Sequence, residues 1–293
     1  MQQPVPSYRE LMWPTVKALR ELGGSGRNAE ISNAVVLLED LTEEQQSQPH
    51  GGSSRSELDY RLAWARTSLK HGGIIENSAR AVWSLTELGG RVTQEQVAEA
   101  YHGYQVKLGE LQKKKKEETS REGRESIETD DTAAEETPDS EETWRDELLA
   151  RLMEMAPDAF ERLTQRLLRE AGFRNVKVLG RSGDGGIDGV GVYRVSLVSF
   201  PTFFQCKRYQ GAVQAREVRD FRGALAGRGE KGLLITTGTF TRGAQEEANR
   251  DGATPVDLVG GEELCELLKQ YQLGVQTRTI EESTVVPDFF EQF

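Results

Sequence analysis

The stretch from residue 112 to 142 has no means of joining a folded core. It begins Gln-Lys-Lys-Lys-Lys-Glu-Glu and holds one large apolar side chain, Ile127. Such a segment buries too little apolar surface to offset the entropy of ordering it. Between 117 and 142, twelve acids face only Arg121 and Arg124, a net charge of -10, and like charges favour an extended chain. The 293 residues therefore read as two folded halves, 1–105 and 143–280, joined by a charged, largely acidic linker at 106–142. Residues 281–293 form an acidic tail of charge -4. Taking the -10 and the -4 out of the total of -11 leaves +3 for the rest. The acidity belongs to linker and tail, so it argues only weakly against a polyanionic partner. A strongly basic footprint is equally missing.

Nothing approaches the ~18 to 20 consecutive apolar residues of a membrane span. The start, Met1-Gln2-Gln3-Pro4, has neither a basic n-region nor an apolar h-region. The two cysteines, Cys206 and Cys265, are far apart and fit no zinc spacing. These features lead us to expect a cytoplasmic protein without disulfides.

The first half reads as helices over 8–22, 27–41 and 56–71, a polar loop at 46–54, and a short hairpin at 74–85. A further helix is expected over 92–111. Three helices and a hairpin of this length resemble a winged helix. The third helix carries Arg61, Arg66 and Lys70, with Arg55 before it and Arg80 on the wing. Since Leu58, Leu62 and Leu69 face inward, these cations can face a major groove. The same region holds ten Lys/Arg against thirteen Asp/Glu, so a winged helix used for protein contact stays open.

The second half alternates: a helix over 144–171 broken at Pro157, strands at 176–179, 187–195 and 202–209, then helix, strand, helix, strand, helix. This order, with near-continuously apolar later strands, implies an α/β fold with a mixed sheet flanked by helices.

The chemistry-bearing residues lie on the hairpin of this half. Gly183-Asp184-Gly185-Gly186-Ile187-Asp188-Gly189 enters one strand, and Phe203-Phe204-Gln205-Cys206-Lys207 lies on the next. In a strand, residues i and i+2 share a face, so Gln205 and Lys207 point together. One hairpin can thus gather a carboxylate, an amide oxygen and an ammonium group. That set suits metal-assisted phosphodiester hydrolysis. Asp188 is also explicable as a turn residue bonding its own backbone, and Lys207 as a snorkelling surface lysine. Asp184 is open among a turn residue, a support behind the ligands, and a ligand. Gln210, Arg216, Thr236, Thr237 and Arg242 are weaker candidates for phosphate contact, and Trp64 and Trp83 suggest only packing.

Phe160-Glu161 on a helix, the Gly-Asp-Gly-Gly-Ile-Asp-Gly turn, Gln-x-Lys, and Leu234-Ile235-Thr236-Thr237 together resemble the Mrr family of restriction endonucleases, within the PD-(D/E)XK nuclease superfamily. The resemblance covers roughly 145 to 275, and the winged-helix-like half extends it. It implies a restriction-endonuclease-like core with Asp188, Gln205, Lys207 and Glu161 at the catalytic centre. Asp188, Gln205, Glu161 and the backbone carbonyl of Cys206 would bind Mg²⁺, or Mn²⁺ in its place. Asp184 and Thr237 would stand behind them. Gln205 occupies a position where much of the superfamily has Asp or Glu. The expected activity is cleavage of double-stranded, methylated DNA by a homodimer or higher homo-oligomer. The rival readings are a DNA-binding regulator or adaptor with an inactive nuclease-like domain, and a structure-specific nuclease.

Overall fold

The computed structural model describes residues 3–51, 54–79, 82–104, 140–179, 186–228 and 231–278. Most of the acidic linker, the acidic tail, Asp184 and Arg80 lie outside the described residues.

The first half begins with α1 (Tyr8–Glu21), opened by a reciprocal cap. The Ser7 hydroxyl accepts the Glu10 N–H (3.4 Å), and the Glu10 carboxylate accepts the Ser7 N–H (2.8 Å). Strand β1 (Ser25–Arg27) and helix α2 (Asn28–Leu38) follow. Helix α2 is shorter than the expected 27–41. Arg27 is drawn into strand pairing, and Asp40 takes a left-handed φ of 49° just past the helix end. Between the expected second helix and the expected loop at 46–54 lies a five-residue helix, α3 (Glu43–Ser47), which runs into the first two residues of that loop; Thr42 and Gln45 cap one another at its start. Helix α4 (Glu57–His71) is capped by Ser56, as its sequence requires. Strands β2 (Ile75–Ala79) and β3 (Val82–Leu85) make the hairpin, with β3 in the centre of a three-stranded antiparallel sheet beside β1. Helix α5 (Glu87–Arg91) and the described part of α6 (94–104) complete this half. Leu11, Leu19, Ile31, Val35, Leu62 and Leu69 form its core.

The second half opens with α7 (Ser140–Glu154) and α8 (Pro157–Glu170). Pro157 separates them as expected: it holds the preceding residue extended, and Ala156 has ψ 148°. Strands β4 (Arg174–Val178), β5 (Gly189–Val195) and β6 (Val198–Lys207) form an antiparallel meander. Strands β8 (Gly232–Thr236) and β10 (Val256–Val259) then add in parallel, giving the order β10-β8-β6-β5-β4. Helices α9 (Ala215–Leu225), α10 (Arg242–Ala248) and α11 (Gly261–Gln270) alternate with them. Strands β7 (Ala212–Val213) and β9 (Thr239–Phe240) pair in parallel at the ends of β6 and β8. At two residues each they left no periodicity to read.

The sheet is covered on both faces. Phe204, Leu233 and Ile235 pack with Phe160, Leu167 and Leu264 on one side. Leu234 and Val256 pack with Val218, Phe221 and Leu225 on the other. Double burial is why these strands read as unbroken apolar runs. None of the three apolar clusters spans both halves of the chain. A fragment of residues 140–278 is therefore expected to melt in one cooperative transition, followed by circular dichroism. A broad, non-cooperative loss of signal would show that it depends on the first half for its core.

Candidate active site

The site forms where the β5–β6 ladder ends. The Asp188 backbone N–H donates to the Phe204 carbonyl (3.0 Å), continuing the ladder one step beyond Gly189. The next β6 donor on this side, the Cys206 N–H, is received by the Asp188 carboxylate, with Oδ2 at 2.6 Å. A side chain thus takes the place of a backbone acceptor, and Asp188 is pinned to the strand that carries Gln205 and Lys207. Within a strand the N–H and C=O of one residue point to the same side. The Cys206 carbonyl therefore also faces the Asp188 edge.

Two glycines leave the room this needs. Gly186 has φ 89°, and a Cβ there would stand 2.2 Å from the Gln205 amide nitrogen. A Cβ on Gly189 would stand 2.2 Å from the Phe204 ring and 2.4 Å from the Lys177 carbonyl. The Gly-rich turn brings its backbone directly against the Gln205 side chain, which sequence alone did not indicate.

Gln205 Oε1 is buried and accepts no hydrogen bond. Leaving such an acceptor unmet costs about 1–3 kcal/mol. Lys207 is half-buried, and its ammonium group makes no hydrogen bond or ion pair with a described residue. Glu161 follows the fully buried Phe160 on α8 and is near enough for its charge to act on Asp188. Burial pushes the Asp188 carboxyl up to about 6. The Cys206 N–H and the Lys207 charge pull it down, while Glu161 pushes it further up. The Cys206 thiol lies with the apolar layer under α8, where burial raises it above the usual thiol range.

The structure thus gathers Asp188, Gln205, Lys207 and Glu161. Among the described residues no trio of His, Cys, Asp and Glu side chains converges. A hard cation would rest instead on two carboxylates, the Gln205 amide oxygen and the Cys206 carbonyl. The unmet Gln205 oxygen fits that use.

Thr237 stands behind the site. Its N–H donates to the Lys207 carbonyl (3.2 Å), and its hydroxyl accepts the Tyr209 N–H (2.9 Å), clamping the end of β6. Arg208 donates to the Met153 carbonyl (2.8 Å) and ties that segment to α7. Arg216 and Arg242 pair with Asp220 and Glu246 of their own helices.

The row of groove-facing cations on α4 is not what the structure presents. Arg66 is buried over the Trp83 ring. Arg61 donates to Glu57 (2.6 Å) and to the Val5 carbonyl. Arg55 pairs with Asp146 (2.9 Å). Lys70 is exposed. The reason is that α4 is covered on more than its leucine side: Ala63, Ala65 and Ser68 are buried too, and Trp64 lies in an aromatic cluster with Tyr8 and Tyr60.

Two family models match this chain, one described as a restriction endonuclease (Mrr_cat) over residues 152–268 and one as the Mrr N-terminal domain over residues 8–95. The chain belongs to the Mrr family of restriction endonucleases. It is 28% identical to the type IV methyl-directed restriction enzyme EcoKMrr of Escherichia coli (strain K12), over 98% of this chain and 99% of that one. Among solved structures it is similar to the MspJI restriction endonuclease in complex with a 27-mer oligonucleotide (29% identity, TM-score 0.38) and to the DNA modification-dependent restriction endonuclease AspBHI (22% identity, TM-score 0.39). Those matches take in 50% and 67% of this chain, and only 36% and 52% of theirs. Both matched Mrr regions fall on the folded halves described above, and every gathered site residue lies inside the first.

The raised Asp188 carboxyl has a stability consequence. An unfolded Asp titrates near 3.9, and this folded one near 6. The folded state holds the proton more tightly, so its stabilising effect is complete below about pH 4 and is lost as pH rises through 6. Discounted for partial solvent exposure, the cost at pH 8 is about 1 kcal/mol. Asp188→Asn is therefore expected to raise the melting temperature of the metal-free protein at pH 8 by about 2–4 °C. At pH 4 it should leave it unchanged. Melts across this range check it; equal shifts at both pH values would mean that the carboxyl is not the cause.

Proposed function

We propose that this chain is a Mg²⁺-dependent endodeoxyribonuclease, with Mn²⁺ able to substitute, that cuts modified, methylated double-stranded DNA. The observation that carries the reading is that Asp188, pinned to the Cys206 N–H and within reach of the Lys207 charge, is held against the strand whose Gln205 oxygen is buried and unmet. The methyl-directed activity named for the E. coli relative, aligned over nearly its whole length, supports the choice of substrate.

In this reading Asp188, Gln205, Glu161 and the Cys206 carbonyl would hold the cation, which supplies an activated water and a charge opposite the phosphate. Asp188 enters with one oxygen committed to the Cys206 N–H, which leaves Oδ1 to face the cation. The half-buried Lys207 orients the attacking water and offsets charge as phosphorus becomes five-coordinate. Thr237 holds the strand end that aims it. The bare backbone at Gly186 makes room for the Gln205 side chain at the site. We assign residues 1–105 to DNA engagement and 143–280 to cleavage. Cutting both strands takes two such sites, so a homodimer or higher oligomer completes the proposal.

The test is cleavage of matched methylated and unmethylated plasmids with Mg²⁺ or Mn²⁺. Asp188→Ala and Lys207→Ala are each expected to slow cutting by about 10²- to 10³-fold or more, while duplex binding by gel shift stays near wild type. Either purified variant cutting at the wild-type rate would sink the assignment.

Gln205 allows a second check. A neutral amide adds no charge to the site, so a cation is held less tightly than by another carboxylate. Gln205→Glu is expected to stay active with a lower Mg²⁺ midpoint. A midpoint unchanged or raised in a metal titration would remove Gln205 from the ligand set.

A further inference from the structure

The parallel strands β6, β8 and β10 all point their C-terminal ends to one edge of the sheet, and Gln205 and Lys207 lie at that edge. The loops leaving β6 and β8 there are held by the first half of the chain. Glu43 Oε1 accepts the Ala215 N–H (2.9 Å) and the Thr241 hydroxyl (3.0 Å). Gln46 Oε1 accepts the Arg242 N–H (3.0 Å). The Ser54 carbonyl accepts the Gly211 N–H (3.1 Å), and Asp59 Oδ2 accepts the Thr239 hydroxyl (2.9 Å). The fit extends to the backbone, since a Cβ on Gly211 would stand 2.5 Å from the Ser47 carbonyl.

Two features make this contact separable. It is built from hydrogen bonds and the Arg55–Asp146 ion pair, and none of the apolar clusters crosses it. Each such bond exchanges for one with water at a small net cost, and polar interfaces between domains favour relative motion. The contact also occupies the part of the winged helix that a duplex would need. Helices of this kind read bases with the residues of their N-terminal turn. Here Arg55, just before α4, is paired with Asp146, and Asp59, within its first turn, is bonded to Thr239.

We propose that the docked arrangement is a resting state, in which the start of α4 engages either the nuclease half or duplex DNA. DNA that captures this turn releases the β6 and β8 loops and opens the active edge of the sheet. The inference rests on the reading of the chain as a DNA endonuclease, and its test separates the two.

The full-length protein is used throughout. First, hydrogen exchange at the amides of Gly211, Ala215 and Arg242 is followed with and without plasmid DNA methylated at adenine or at cytosine. Asp188→Ala keeps the DNA intact. Exchange at these amides is expected to speed up when DNA binds. Second, Glu43→Arg removes two bonds from an exposed position. It is expected to raise cutting of unmodified plasmid about tenfold. Third, Ser47→Cys with Gln214→Cys, bridged by a short bismaleimide, fixes the two halves together. Wild type bonds these side chains at 2.9 Å. The bridged protein is expected to lose duplex binding and cutting. Bridged protein that binds and cuts normally would overturn the proposal. So would unchanged exchange at the three amides on DNA binding. If exchange responds to DNA while no form of the protein cuts any plasmid, docking stands and the nuclease reading fails.

Discussion

The bond from the Cys206 N–H to the Asp188 carboxylate is the contact on which the rest of the site depends. It ends the β5–β6 ladder with a side chain instead of a peptide carbonyl. Everything else follows from that substitution. The carboxylate is fixed over β6, so strand alternation sets Gln205 and Lys207 beside it without any loop to position them. The turn before it must pass close to Gln205, which only glycine at 186 permits. The carboxylate is buried, so its charge is costly until an opposite charge arrives. A site of this kind is rigid because it is part of the sheet, and reactive because the sheet leaves its charges unbalanced.

How much of this could be read beforehand depended on the distance over which the signal acts. The strand alternation of Gln205 and Lys207 and the break at Pro157 are local, and they were legible. Helix α3 was missed because its five residues are all polar and show no apolar periodicity. Strands β7 and β9 are too short to show periodicity. The cations of α4 were misjudged for a different reason. Three inward leucines identify one buried face, but not whether other elements cover the remainder. Trp83, Val5 and Asp146 come from elsewhere in the chain, and they take up Arg66, Arg61 and Arg55.

The same limit explains why the joint between the halves was invisible. Glu43, Gln46 and Asp59 are ordinary surface residues by composition. Only the fold brings them to the amides and hydroxyls at the starts of α9, α10 and β9. Apolar cores announce themselves in sequence through periodicity, and polar interfaces do not. The apolar cores lie within the halves, and the contact between the halves is polar.

The joint also has a genetic meaning. Gly211 presses its backbone against the Ser47 carbonyl, so any side chain there pushes the halves apart without touching Asp188, Gln205 or Lys207. If the docked form is the resting one, changes at Gly211 are gain-of-function alleles. A cell carrying one would suffer damage to its own chromosome, and such alleles would be selected against more harshly than those that simply kill the enzyme.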